Sequence, residues 1–288
     1  MFKNNVKKYF KTDKKNKKEN RYDIMFHIID SKKNKFPHIK KGKGHPLILL
    51  HGLMGGLSNF KAILDFFPKK GYQVIIPSLP FYNMPLFFTN IFHISQHVIQ
   101  FLIEIGVKKA TLIGNSIGGH IALIIAKKKI DLVHSLVLTG SSGLFEKAFG
   151  DAFPKRENYE YIRKKSQEVF YNPNIATKEL VDEVFHIVND KKKGIKTLYI
   201  AKSAMKYNMS KDLSLIHQPI CLIWGKQDHV TPPEVAKEFH RLLPHSELHW
   251  IDKCGHVPMM EHPKIFIEIL GKWLSKFDFN HENFLCKI

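Results

Sequence analysis

The sequence predicts an α/β fold with a mostly parallel central sheet, helices on both faces and a helical insertion. Three observations carry this. Short apolar runs alternate with amphipathic segments, glycine-bearing turns close several of those runs, and one long helical stretch interrupts the alternation. The runs fall at 46–51, 72–76, 110–114, 133–139, 219–224 and 247–251. A strand covered on both faces has no polar side, so its run is unbroken. The segments between them, 58–67, 90–105, 117–129, 232–242 and 263–277, place apolar residues at helical spacing. Strand alternating with helix implies parallel pairing, because a parallel connection must cross the sheet.

Taken in order, residues 1–21 read as a disordered basic tail, dominated by Lys and Asn with too few apolar residues to bury. Residues 22–30 and 36–40 flank a polar turn at 31–35, which predicts an antiparallel hairpin at a sheet edge. The helix near Pro232 is announced by Thr231-Pro232-Pro233-Glu234, a cap candidate followed by prolines suited to a first helical turn. Residues 144–211 break the pattern with three helices, at about 157–170, 177–189 and 194–207, and no strand. This insertion is rich in Phe, Tyr, Met and Lys, a composition that offers an apolar underside to a pocket and a charged face to water. The expected organisation is therefore a core of 22–143 and 212–279, a helical insertion at 144–211 and a C-terminal tail at 280–288.

With 288 residues and 44% apolar content, the chain can bury a full-size core. The net charge of +19 would ordinarily direct attention to nucleic acid. Its distribution points elsewhere: residues 1–21 hold +7 of it, and Arg21, Arg156, Arg163 and Arg241 are the only arginines. Bidentate base and phosphate recognition leans on arginine, so no specific nucleic-acid partner is expected. Cys221, Cys254 and Cys286 are odd in number and lack metal-site spacing, which fits a reducing compartment. No apolar stretch of signal-peptide length follows the basic N-terminus, and no run of 18 apolar residues occurs. A soluble cytoplasmic protein without integral membrane association is expected; nothing fixes its oligomeric state.

Gly114-Asn115-Ser116-Ile117-Gly118 ends a strand and opens a helix. In that context the spacing makes a nucleophile elbow, a sharp turn that needs glycine two residues either side so that neighbouring backbones can approach. Ser116 would stand at a helix N-terminus, where backbone dipoles favour developing negative charge. The competing reading is a glycine-rich turn with an idle serine. His51-Gly52-Leu53-Met54-Gly55-Gly56 follows an earlier strand and can curl a backbone N–H toward a reacting carbonyl oxygen. Leu53, or less favourably Met54, then forms an oxyanion hole with Ile117, each donor contributing about 2.7 to 4 kcal/mol. His51 reads as a structural residue of that loop.

Trp224-Gly225-Lys226-Gln227-Asp228 and Cys254-Gly255-His256-Val257-Pro258 follow the next two strands, on the same sheet edge as Ser116. Serine is a poor nucleophile at neutral pH, so a histidine must take its proton and a carboxylate must orient that histidine. Ser116, Asp228 and His256 stand in the chain order such a triad requires. Asp252 competes with Asp228, but it lies at the strand end itself. His93 and His97 have metal-ligand spacing with no third ligand in evidence, so no metal or cofactor is expected. Cys254 reads as a small buried residue, while 83–88 could either wall a pocket or be ordinary core.

These motifs resemble the α/β-hydrolase superfamily over residues 36–277. The resemblance is greatest to the lidded branch that includes carboxylesterases, meta-cleavage C–C bond hydrolases and a pyruvate-eliminating enzyme of menaquinone synthesis. It implies that residues 144–211 are a helical cap between strands six and seven. Some relatives carry the acid after strand six, where Thr139-Gly140-Ser141-Ser142-Gly143 offers none. In meta-cleavage relatives a cap arginine binds the substrate carboxylate; similarity of residues 177–182 places that position near Val184, leaving Arg156 and Arg163 as the cap's arginines. The resemblance therefore implies a serine hydrolase acting on a small-molecule ester, with C–C cleavage or elimination as the alternative chemistry and a non-catalytic binding scaffold as a third reading.

Overall fold

The computed structural model describes residues 36–145 and 155–279. The expected tails, the first hairpin strand at 22–30 and Cys286 lie outside them. A seven-stranded sheet forms from β1 (His38–Lys41), β2 (His45–Leu50), β3 (Tyr72–Pro77), β4 (Ala110–Asn115), β5 (Val133–Thr139), β6 (Ile220–Gly225) and β7 (Ser246–Ile251), in the order β1-β3-β2-β4-β5-β6-β7. Only β1 is antiparallel, pairing with β3. The 36–40 segment thus takes the predicted edge position.

The apolar runs split by parity. Leu47, Leu49, Ile113, Val137 and Ile223 pack in one core, whereas Ile48, Leu50, Leu112, Leu136 and Leu222 pack in the other. This two-sided burial is what an unbroken apolar strand encodes. Helices α1 (Lys61–Phe66) and α9 (Pro263–Leu274) contribute to the first core, and α2 (Ile91–Glu104), α3 (Ile117–Lys128) and α7 (Pro233–Leu242) to the second.

Between β5 and β6 lie α4 (Tyr159–Gln167), α5 (Lys178–Asn189) and α6 (Lys191–Lys206). The insertion therefore follows the fifth described strand rather than the sixth, because the 22–30 segment is not among those counted. Asn158, Thr177 and Asp190 cap these helices, each accepting from backbone N–H groups of the first turn. A short helix, α8 (Pro258–Glu261), precedes α9.

The chain leaves β2 toward β3 on one side and later returns through β4 on the other. The carboxyl ends of β2 and β4 consequently border the crevice where strand order reverses, the position at which open α/β sheets bind ligands.

Candidate active site

Ser116 links β4 directly to α3 with φ 55° and ψ −123°. A non-glycine residue rarely holds positive φ, and the surroundings enforce it here. A Cβ at Gly114 would meet the Gly118 backbone, and one at Gly118 would meet the Leu50 carbonyl. The strand and helix therefore cross closer than any larger residue allows. Ser116 N–H donates to the Thr139 carbonyl at 3.1 Å, and Ser142 N–H donates to the Ser116 carbonyl at 3.1 Å. The serine's own N–H and carbonyl are thus anchored to the end of β5 and to the loop that follows it.

His256 lies after β7 and Asp228 after β6, 28 residues apart, yet His256 Nδ1 is 2.9 Å from Asp228 Oδ2. Both side chains are buried. Oδ1 of Asp228 accepts from Val230 N–H at 2.8 Å and Thr231 N–H at 2.9 Å, and Oδ2 also accepts from Thr231 Oγ1 at 2.9 Å. A carboxylate only accepts, so the imidazole must present Nδ1–H to it, leaving Nε2 as the acceptor. Asn115 Nδ2 donates to the Thr139 carbonyl at 3.0 Å and to the His256 carbonyl at 3.1 Å, tying the histidine turn to the serine turn.

Ser116 and His256 line one cavity of about 410 Å³. Gly52, Leu53, Met54 and Ile117 wall it beside the serine, where the sequence places the oxyanion donors. The opposite wall comes from the insertion and includes Tyr161, Phe170, Leu180, Val184 and Ala201. Ser166 is buried on that wall without a hydrogen-bond partner for Oγ. The insertion is fastened to the histidine loop: His256 N–H donates to the Val169 carbonyl at 2.9 Å. Glu261 completes the clasp, accepting from Gly255 N–H at 2.7 Å and Tyr171 N–H at 2.8 Å.

The remaining candidates separate cleanly. Asp252 is exposed, accepts from Gln227 and approaches Lys226 at 3.8 Å, outside the cavity. His51 is buried against Phe81, with Nδ1 2.8 Å from the Gly52 carbonyl, and burial lowers its pKa. This suits the structural role read from the sequence. His93 bonds the Asn90 side chain at 2.9 Å and His97 packs edge-on against Phe36. Among the described residues no group of three or more His, Cys, Asp or Glu is placed to hold a metal ion. Burial and the neighbouring Glu261 carboxylate raise the Cys254 thiol, which disfavours the thiolate form.

Two expectations need correction. Thr231 does not cap α7 with its side chain; Pro232 holds the cap position, and the Thr231 hydroxyl serves Asp228 instead. The helix begins at Pro233, so Thr231 stands one residue before the cap position, out of place to accept from the first-turn N–H groups. Residues 83–88 do not wall the cavity; Met84 packs against the core, whereas Leu86, Phe87 and Phe88 are exposed. Asn115, Thr231 and Glu261 were missed as supporting residues; Glu261, in the Cys-Gly-His-Val-Pro-Met-Met-Glu segment, gave the one sequence signal.

A model of the alpha/beta hydrolase family matches residues 47–269. The chain belongs to the alpha/beta hydrolase family. An alpha/beta hydrolase enzyme from the sediment metagenome of the Mar Chica lagoon is 46% identical, with TM-score 0.71 over 84% of this chain and 96% of that one. A 2-hydroxy-6-oxononadienedioate/2-hydroxy-6-oxononatrienedioate hydrolase of Paraburkholderia phymatum is 28% identical, covering 80% of this chain and 87% of its own. A Mycoplasma pneumoniae protein named as an esterase/lipase is 25% identical over 85% of this chain and 94% of its own. This alpha/beta hydrolase thus has relatives named as a dienedioate hydrolase and as an esterase/lipase.

Proposed function

We propose that the protein is a serine hydrolase that cleaves a small carboxylic ester through an acyl-enzyme, with no metal or organic cofactor. The carrying observation is His256, which meets buried Asp228 at 2.9 Å and lines the same cavity as the strained Ser116. His256 Nε2 takes the Ser116 proton as Oγ attacks the ester carbonyl, while Asp228 stabilises the imidazolium. The Leu53 and Ile117 amides hold the oxyanion, and protonated His256 releases the alcohol. Water then attacks the acyl-enzyme by the same path and regenerates Ser116. Residues 144–211 act as a cap, excluding water and shaping the acyl and alcohol subsites. The buried cysteines Cys221 and Cys254, free rather than bridged, are in keeping with a cytoplasmic setting.

Ester chemistry is favoured over dienoate cleavage by the charge of the cavity wall. Val184 lines it with an apolar side chain, whereas Arg163 pairs with Glu160 at 2.6 Å on the exposed face and Arg156 is exposed as well. The second reading, C–C hydrolysis, draws on the Paraburkholderia relative and on Lys165, a lining cation already paired with Glu168 at 2.7 Å. Purified protein and Ser116→Ala are compared on p-nitrophenyl acetate and butyrate. Turnover that vanishes in the variant supports the ester reading; negligible turnover by the wild type, with hydrolysis of a meta-cleavage dienoate, transfers the assignment to C–C chemistry.

A further inference from the structure

We infer that the outer face of α6, with the adjoining turn at Leu86–Phe88, docks on an anionic phospholipid surface. The inference does not depend on which bond Ser116 cleaves.

Helix α6 is apolar on two sides. Its inner face buries Thr197, Ile200, Ala201 and Ala204, and Ala201 reaches the cavity wall. Its outer face leaves Ile195, Leu198 and Tyr199 about half exposed. Beside it runs the turn bearing Phe87, which is 84% exposed, and Phe88. Lys196 Nζ donates to the carbonyls of Tyr82 at 2.9 Å and Met84 at 2.6 Å, and Ile91 N–H donates to Ser203 Oγ at 2.9 Å. These bonds fasten one face of the helix to the residues on either side of the turn, so both sets of exposed apolar side chains move as one body. Clustered exposed apolar side chains rimmed by polar ones mark an interaction site rather than ordinary surface.

Charge selects the occupant. Residues 191–211 contain seven lysines and no carboxylate, and residues 78–103 contain no carboxylate either. Lys128 Nζ sits 3.6 Å above the Phe92 ring at the margin, extending the basic rim. Glu183 lies close enough to Tyr82 to act on it electrostatically, and the other acids nearby are occupied or peripheral. Asp190 caps α6, Asp212 pairs with Lys127 at 2.7 Å, and Asp131 shares a groove with Lys127, Lys128 and Lys129. Apolar side chains that enter the headgroup boundary while long lysine stems reach lipid phosphates suit an anionic bilayer. Docked in this way, the helix that walls the cavity lies against the membrane.

Co-sedimentation of the full chain with phosphatidylcholine vesicles, with and without phosphatidylglycerol, tests the proposal. The wild type should bind the anionic vesicles, and Phe87→Ser/Tyr199→Ser should weaken partitioning at least about tenfold. Lys202→Glu/Lys206→Glu should also weaken it, and circular dichroism melts should show each variant folded. Failure of the wild type to bind overturns the inference. So does unchanged binding of Phe87→Ser/Tyr199→Ser, which would assign attraction to the basic N-terminal segment alone. A wild-type dimer in sedimentation velocity that Phe87→Ser/Tyr199→Ser dissolves would make a second copy the occupant and likewise overturn it.

Discussion

Asp228 receives four hydrogen bonds, from two backbone N–H groups, the Thr231 hydroxyl and His256. The Thr231 hydroxyl holds Oδ2, the oxygen that meets His256 Nδ1, in place. Thr231→Val keeps the side-chain shape and removes this donor. We expect kcat/KM on a p-nitrophenyl ester to fall about tenfold with KM nearly unchanged, as for a lost hydrogen bond to a charged group. Rescue of kcat by Thr231→Ser, with the circular dichroism melt unchanged in both variants, would mark Thr231 as a positioning residue for Asp228; no rescue would reduce it to a packing residue. At this scale Ser116, Asp228 and His256 were legible because each sits in a local turn whose neighbours are adjacent in sequence. The partners that position them were not. Asn115 meets His256 across 141 residues, and Glu261 meets Tyr171 across 90. A local pattern contains no trace of such contacts.

Strands were legible almost to the residue, since burial on both faces leaves an unbroken apolar run; β5 falls at Val133–Thr139 as read. Helix α6 was misjudged at its start. The Lys191-Lys192-Lys193 run hides any apolar period, and Gly194 resembles a boundary. Asp190 nevertheless accepts from Lys192 N–H at 2.9 Å and Lys193 N–H at 3.1 Å, which begins the helix before the glycine. The insertion was legible as three helices, but its docking was not. The Val169 carbonyl and the Glu261 carboxylate fix that docking by accepting backbone N–H groups of His256, Gly255 and Tyr171, donors that no sequence pattern singles out.

For the molecule as a whole, the buried histidines link stability to pH. Burial lowers His45 to about 3 and His120 to about 4, so both stay neutral in the folded state through mildly acidic pH. The unfolded chain binds these protons near its ordinary value of 6.5, so it holds more protons than the native state between that pH and the folded values. Their contribution is therefore fully present above that value and is lost as pH falls toward 4, at about 1.4 kcal/mol per pH unit for each group. Urea unfolding should show roughly 3 to 4 kcal/mol less stability at pH 5 than at pH 7 from these two groups. Glutamine at position 45 should reduce that difference; equal stability at both pH values would contradict neutral burial. The fold class was legible at this scale because alternation of strand and helix is global. The exposed Leu86–Phe88 turn was not, because an apolar run reads the same whether it faces a core or a membrane. The central claim, that Ser116 is the activated nucleophile, is tested most directly by intact-protein and peptide mass spectrometry after a fluorophosphonate probe. One covalent adduct is expected, on Ser116, absent from Ser116→Ala and greatly slowed in His256→Ala. A folded wild type that stays unlabelled, or carries the adduct on another residue, would contradict it.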